Sequence, residues 1–296
     1  MPSDSSDDST TRPEVPGTAA FGKFMRVLQA VADGPEEATV ARLGRSTGLP
    51  RPTVHRIAAA LVAEGMLAED PHGRLHLGPR LISLAFRSWD GSLLRGVARD
   101  PLLRLRDSLD ETVHLAVPDR GEMVYVDKLE SRRAVRMASR VGTRVALHAT
   151  SVGKAWLATL DEADLAPLLA RAALVPRTPH SITDPEELRA EIARTRARGH
   201  SLDLQENELE ICCYGKALVG PRGRVLGCIS VSMPTYRFEA ADRDAVLAAM
   251  QACVEAVARA AGGVIAEVAS SYDVRKIPSG HRITSPRGAE QSSART

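Results

Sequence analysis

The sequence predicts a mixed α/β (α+β) protein of two domains. The first is small, helical and closed by a hairpin; the second is larger, with a mainly antiparallel sheet flanked by helices. Three observations carry this. Residues 21–82 show three short helical stripes and then two short strands about a turn. Beyond residue 95 the pattern changes to alternating strands and helices. The chain has 296 residues, 44% of them apolar and 26% charged, enough to bury two cores of ordinary size.

The opening MPSDSSDDSTTRPEVPGTAA is acidic and rich in Ser, Thr and Pro, with neither the basic nor the apolar region of a signal peptide. Residues 1–20 therefore read as a disordered tail. Phe24, Val27, Leu28 and Val31 recur at helical spacing, and Gly34-Pro35 ends that stripe. A second helix starts at Val40, a third follows Gly48, and LAEDPHGRLHL over residues 67–77 reads as a hairpin with its turn at Asp70 to Gly73. Apolar residues at helical spacing from Leu81 predict one connector helix, linking the domains over residues 83–95.

The larger domain is expected over residues 96–266. TVHLAVP and MVYVDKL flank a turn at Asp119 to Glu122, and Ala134 to Ser139 reads as a further strand. Two helices are expected over 150–160 and 162–171. Asp184-Pro185-Glu186-Glu187 then supplies an N-cap, a proline in the first helical position and a Glu three after the cap, and Gly199 closes that helix. Strands return at 200–205, 211–219 and 224–233, one long Ala-rich helix is expected over 240–272, and residues 273–296 read as a loose tail.

Chemistry concentrates first in VARLGRSTGLPRPTVHRIA, residues 40–58. A helix-turn-helix needs a small residue where its helices touch, a glycine for the turn and apolar residues joining the two; Gly44, Gly48, Val54 and Ile57 stand at those spacings. Net charge is only +2, so any case for nucleic acid rests on placement. From Ala38 to Ala63 there is no Asp or Glu, while Arg42, Arg45, Arg51 and Arg56 are all present. An acid-free helix pair suits a phosphate surface. The start of a recognition helix meets base edges in the major groove, which nominates Arg51, Pro52, Thr53, His55 and Arg56, with Arg42 and Arg45 on the preceding helix. With the hairpin as a wing, Arg74 at its tip reaches a phosphate or the minor groove. Double-stranded DNA is the expected partner.

GLPRPTVHRIAAALVAEGML, LHATSVGKAWLA, and ENELEICC followed by GRVLGCISVSMP together resemble the IclR family of bacterial transcriptional regulators, over residues 21 to 263. The resemblance implies a winged helix-turn-helix joined to a GAF-like effector-binding domain, assembled as homodimers or homotetramers on palindromic operators. It also implies that a small organic or aromatic acid is held by Asp203, Cys213, Ser230 and Ser232. The family's usual glycine and proline near the signature cysteine are here Glu210 and Ala217.

The spacing adds a geometric argument. If Pro221-Arg222 is a two-residue loop, Cys213 lies opposite Ser230 and Ile211 opposite Ser232. All four then share one face, a thiol and two hydroxyls on apolar strands, with Asp203 entering from the preceding strand. Cys212 and Cys213 point to opposite faces, which disfavours a redox pair.

Catalysis finds few parts. There is no HExxH, GxSxG or GxGxxG, and SVGKA lacks both the glycine five before Gly153 and the hydroxyl after Lys154 that a phosphate loop needs. Cys213, His148 and Asp203 could form a nucleophile, base and orienter, but nothing in the sequence aligns them. The four cysteines have no CxxC spacing, and His72 and His76 read as turn residues, so no metal or cofactor is expected. Reduced thiols and the lack of an 18-residue apolar run fit a cytoplasmic protein away from membranes. The expected function is a sequence-specific regulator in which ligand changes the spacing of paired recognition helices through the connector. The alternative is a regulator whose second domain only oligomerises.

Overall fold

The computed structural model describes residues 17–34, 36, 38–220 and 223–262. Of the tail expected over 1–20, residues 1–16 lie outside the described residues, as does the tail expected over 273–296; α1 (Ala19–Asp33) already begins inside the first of them. The chain divides into two compact units between Gly91 and Ser92.

In the first unit α1, α2 (Val40–Thr47) and α3 (Arg51–Ala63) enclose a core of Val27, Val31, Leu43, Val54, Ile57 and Leu61. The hairpin β1 (Leu67–Glu69) and β2 (Leu75–Leu77) pairs Leu67 with Leu77 and adds Leu67 and Leu75 to that core. Leu75 also donates its N–H to the Ala38 carbonyl, tying the hairpin to the start of α2.

The single connector helix expected over 83–95 is two helices, α4 (Pro79–Asp90) and α5 (Leu93–Leu109). Ser92 is extended, and its hydroxyl accepts the N–H of Arg95, so α5 has its own N-cap and the helix restarts there. Apolar spacing continues through Gly91-Ser92, which hid the break.

The second unit is a three-layer sandwich. Its sheet has the order β5-β4-β3-β8-β7-β6, antiparallel throughout. The strands are β3 (Thr112–Asp119), β4 (Glu122–Leu129), β5 (Arg144–Val145), β6 (Ser201–Leu204), β7 (Ile211–Val219) and β8 (Val225–Pro234). On one face α5 and α10 (Arg243–Ala261) bury Val113, Leu115, Tyr214, Ile229, Val231 and Met233. On the other, α6 (Ser151–Leu157), α7 (Glu162–Arg171) and α8 (Pro185–Arg198) gather around Trp156, Leu165 and Ile192 with Ala116, Met123 and Cys228 of the sheet.

Arg120 and Gly121, at φ 50° and 81°, make the β3–β4 turn. Residues 134–139, expected as a strand, form none, because the carbonyls of Met137 and Ser139 accept from the Lys128 ammonium instead of a ladder partner. The long helix expected over 240–272 is also divided. A short α9 (Thr235–Ala240) ends in extended Ala241, and Asp242 caps α10 by accepting from the N–H groups of Asp244 and Ala245. Residues 263–272 of that expectation lie outside the described residues.

The β7–β8 register differs from the expected one by two. Cys213 lies opposite Ser232, Gly215 opposite Ser230 and Ile211 opposite Pro234. The connection is longer than two residues: Gly220 and Arg224 close it, Gly223 sits at φ 73°, and the register slips between Leu218 and Val219. Pro221 and Arg222 themselves lie outside the described residues. A shift of two preserves side-chain alternation, so Ile211, Cys213, Ser230 and Ser232 still share a face.

Candidate functional site

Each unit carries one candidate site. In the first, Thr39 caps α2 by accepting from the Arg42 N–H, and Gly48 turns the chain at φ 67°. A Cβ at Gly44 would stand in ordinary contact with the Leu49 carbonyl at 3.4 Å and Arg51 Cγ at 3.5 Å, so this is where the end of α2 packs against the start of α3. With Val54, Ile57, Ala58 and Leu61 held inward, Arg51, Pro52, His55 and Arg56 are exposed and Thr53 is half-buried; Arg42 and Arg45 are exposed on α2.

Arg74 is less free than the sequence suggested. Its guanidinium donates to Asp70 Oδ2 at 2.8 Å, while Asp70 Oδ1 accepts the N–H groups of His72 and Arg74. These donors hold the Asp70 carboxyl well below the usual carboxylate range, the backbone N–H of Arg74 contributing most. His76 also faces Asp70, at 3.5 Å. The histidines thus belong to a turn closed by a carboxylate, and among the described residues no group of three or more His, Cys, Asp or Glu could hold a metal.

In the second unit two rows of side chains cross the sheet. Asp203, Cys213, Ser232 and Thr112 are successive register partners across β6, β7, β8 and β3, as are Ser201, Gly215, Ser230 and His114. Asp203, Cys213, Ser230, Ser232 and His114 are all buried, whereas Ile211, at the strand end, is half-buried. The structure therefore brings the sequence-nominated residues together.

His114 is the member that sequence reasoning missed. Its Nδ1 lies 3.2 Å from Ser230 Oγ and 3.4 Å from Ser232 Oγ, its Nε2 lies 2.7 Å from Ser139 Oγ, and its ring stacks on Tyr125 at 4.5 Å. Burial pushes its pKa down to about 3, with Lys128 adding to the effect. The neutral ring has one donor and one acceptor to share among three hydroxyls. In the sequence His114 is one residue of a strand read as half of a hairpin, and only the β3–β8 pairing sets it against Ser230.

Behind Asp203 lies a buried charge cluster. Glu206 and Asn207 donate their backbone N–H groups to Asp203 Oδ1, at 2.8 and 3.4 Å. The Glu206 side chain accepts from Lys154 Nζ at 2.5 Å, and Glu191 lies 4.0 Å from the same ammonium. Burial, with the Glu206 charge beside it, pushes the Asp203 carboxyl up to about 7. Burial raises Glu206 and holds the Cys213 thiol well above its ordinary value, which favours the protonated thiol. Cys212 is on the opposite side, 3.7 Å from the Thr235 hydroxyl. His148 donates to the Val175 carbonyl at 3.0 Å.

Glu210, standing where the resembled family has glycine, occupies left-handed backbone at φ 62°. That conformation costs an L-residue about 1–2 kcal/mol, of which glycine's unfolded-state entropy returns roughly half. Glu210→Gly is accordingly expected to stabilise the protein by about 0.5–1 kcal/mol in denaturant unfolding. Unchanged stability would mean that the 205–210 loop holds that backbone without strain.

Comparison with known proteins bears on both sites. The IclR helix-turn-helix domain matches residues 22–71, and the C-terminal domain of IclR bacterial transcriptional regulators matches residues 88–259. The HTH-type transcriptional regulator XynR of Escherichia coli is 29% identical over 241 residues, covering 81% of this chain and 96% of its own. The HTH-type transcriptional regulator BhcR of Paracoccus denitrificans is 30% identical, over 82% of this chain and 86% of its own. The Thermotoga maritima IclR crystal structure shares the fold with a TM-score of 0.64 at 27% identity, covering 82% of this chain and 98% of its own. An IclR homolog from Microbacterium hydrocarbonoxydans complexed with 4-hydroxybenzoate shares it at 0.67 and 24% identity, with 82% and 98% covered. No helix among the described residues is long and apolar enough to cross a membrane. Because the effector-domain match alone spans more than half of its length, this chain belongs to the IclR family of bacterial transcriptional regulators.

Proposed function

We propose that this chain is a cytoplasmic, sequence-specific DNA-binding regulator whose operator affinity is set by a small organic or aromatic acid held on the Asp203/Cys213/Ser232 face. The observation that carries this reading is that face itself. Five polar side chains, His114, Asp203, Cys213, Ser230 and Ser232, are buried together on one face of the sheet, in register with one another across β6, β7, β8 and β3. Small polar groups gathered in an apolar enclosure fix the orientation of a ligand of modest size. An aromatic acid has a counterpart in the 4-hydroxybenzoate bound to the Microbacterium relative. The protein is not an enzyme in this reading, since Cys213 is a protonated thiol and His148 is committed elsewhere.

On DNA, Arg51, Pro52, Thr53, His55 and Arg56 face the major groove, Arg42 and Arg45 the flanking phosphates, and Arg74 the backbone beside the wing. Pairing of two copies on a palindromic site is supported by α4. None of its residues is buried, and Ile82 and Phe86, one turn apart on the same side of the helix, are each more than half exposed, leaving an apolar contact for a second copy of the chain.

The test is a thermal-unfolding screen of the wild type, Ser230→Ala and Ser232→Ala against small carboxylic acids including 4-hydroxybenzoate. An acid present at a hundred times its dissociation constant adds about 2.7 kcal/mol of stability. The expected result is an acid that stabilises the wild type more than either variant and changes affinity for DNA. Equal stabilisation of all three proteins moves the ligand to another site, and no stabilisation by any acid leaves the second unit as an oligomerisation domain.

A further inference from the structure

The charges around Asp203 do not balance, and the imbalance bears on how an acid enters. This inference rests on the reading of that face as the ligand site. Lys154, fully buried on α6, is the ammonium bonded to Glu206. Glu191, the second carboxylate near Lys154, has guanidinium partners of its own: Arg194 at 2.9 Å and Arg198 at 2.5 Å. Lys128, the cation nearest His114, directs Nζ to Glu130 at 3.0 Å and to the Met137 and Ser139 carbonyls at 2.7 Å each, filling its three donor positions. Asp203 and Glu206 thus stand together with one ammonium between them, and that ammonium is bonded to Glu206.

The remaining groups that face Asp203 carry no compensating charge. From β7 it meets Cys213, directly opposite, with Ser232 of β8 next in the same row; Tyr125 of β4 lies near it, and its own loop offers Asn207. Buried oxygens nearby also lack donors. Glu206 Oε2 and Asn207 Oδ1 have no hydrogen-bond partner among the described residues. A second anion placed here beside an ionised Asp203 would put like charges together in a low-dielectric enclosure, an arrangement that paired carboxylates resolve by keeping one proton between them.

We propose that this face takes a carboxylic acid together with one proton, the ligand's carboxylate lying against Cys213 and Ser232 while Asp203, protonated, donates to it. The acid enters as its anion, the proton comes from solvent, and no bond other than O–H forms. The Asp203 carboxyl already stands near neutrality, so the uptake falls in the physiological range. Lys154 and Glu206 act as positioning residues: Lys154 fixes the Glu206 side chain, and the Glu206 backbone N–H holds Asp203.

Calorimetric titration of the full chain with sodium 4-hydroxybenzoate, in buffers of low and high ionisation enthalpy, counts the protons. At pH 8 the expected uptake is about one proton per ligand, falling towards none at pH 5.5, with Kd weakening about tenfold per pH unit above 7. Asp203→Asn, whose amide still donates, is expected to show neither the uptake nor the slope, whatever its affinity. A second measurement needs no ligand. A carboxyl whose folded-state pKa is raised destabilises the folded state increasingly as pH climbs from its ordinary value through the raised one. The melting temperature of the wild type should therefore fall relative to Asp203→Asn between pH 5 and 8. Binding with no buffer-dependent enthalpy, or a melting difference that is flat with pH, overturns the proposal and leaves the acid-sensor reading intact. Failure of 4-hydroxybenzoate and every other acid in the panel to bind overturns both.

Discussion

Lys154→Met should lower the stability of the second unit by about 3–5 kcal/mol at pH 8, the usual consequence of removing one partner from a buried ion pair. The Lys154 side chain is about 1% exposed and the Glu206 side chain about 8%, so no solvent is at hand to take over the interaction. Glu191 is little affected, because Arg194 and Arg198 remain. Glu206 is left as a buried carboxylate with neither oxygen partnered by a cation, and its cheapest escape is to take up a proton. Burial already raises its pKa, so the proton is held more readily at pH 6 than at pH 8 and the loss should be smaller there. Lys154→Met combined with Glu206→Gln should recover part of the loss, since a neutral amide is less costly to bury unpaired than a charge. Urea unfolding of the two single variants and the double variant at both pH values measures this. Equal stability of wild type and Lys154→Met at pH 8 would show that the pair contributes nothing.

How much of this was legible in the sequence depends on the range of the interaction. α1 to α3 follow from apolar periodicity and from the glycine at residue 48, and the α8 boundaries follow from the Asp184 cap and Gly199, all contacts within a few residues. The buried polar face was legible by parity: alternation fixed which side Cys213, Ser230 and Ser232 occupy even though the loop, and hence the register, was mistaken by two. What escaped depends on distant pairing. His114 reaches Ser230 across 116 residues of sequence, and Lys154 reaches Glu206 across 52. In the sequence the first is an ordinary strand residue and the second part of a failed phosphate motif. The break at Gly91-Ser92 did have a local signal, a serine three before Arg95, but unbroken apolar spacing outweighed it.

Arg51→Ala should weaken binding to a specific DNA site by about 1–3 kcal/mol, roughly 5-fold to 150-fold, while leaving non-specific binding almost unchanged. Arg51 is the first residue of α3, and a Cβ placed on Gly44 would stand 3.5 Å from its Cγ, so its stem lies along the end of α2 before its head reaches solvent. A guanidinium launched from a helix start over a supporting backbone has fewer conformations to lose on docking, which favours a two-pronged contact to a base edge over a diffuse phosphate contact. Pro52 at the second helical position stiffens the same turn, and Val54 and Ile57 anchor the helix from inside. Arg42 and Arg45 have a different expected signature. If they meet phosphates, as proposed, they act as point charges, and alanine at either should weaken all DNA equally and reduce the salt slope by about one counterion. Fluorescence anisotropy on a site selected in vitro by the wild-type protein, with a scrambled duplex beside it and three salt concentrations, separates the two behaviours. If Arg51→Ala weakens both duplexes alike and flattens the salt dependence, Arg51 is a phosphate contact and base reading falls to Thr53, His55 and Arg56, the remaining polar residues on the outer side of the helix.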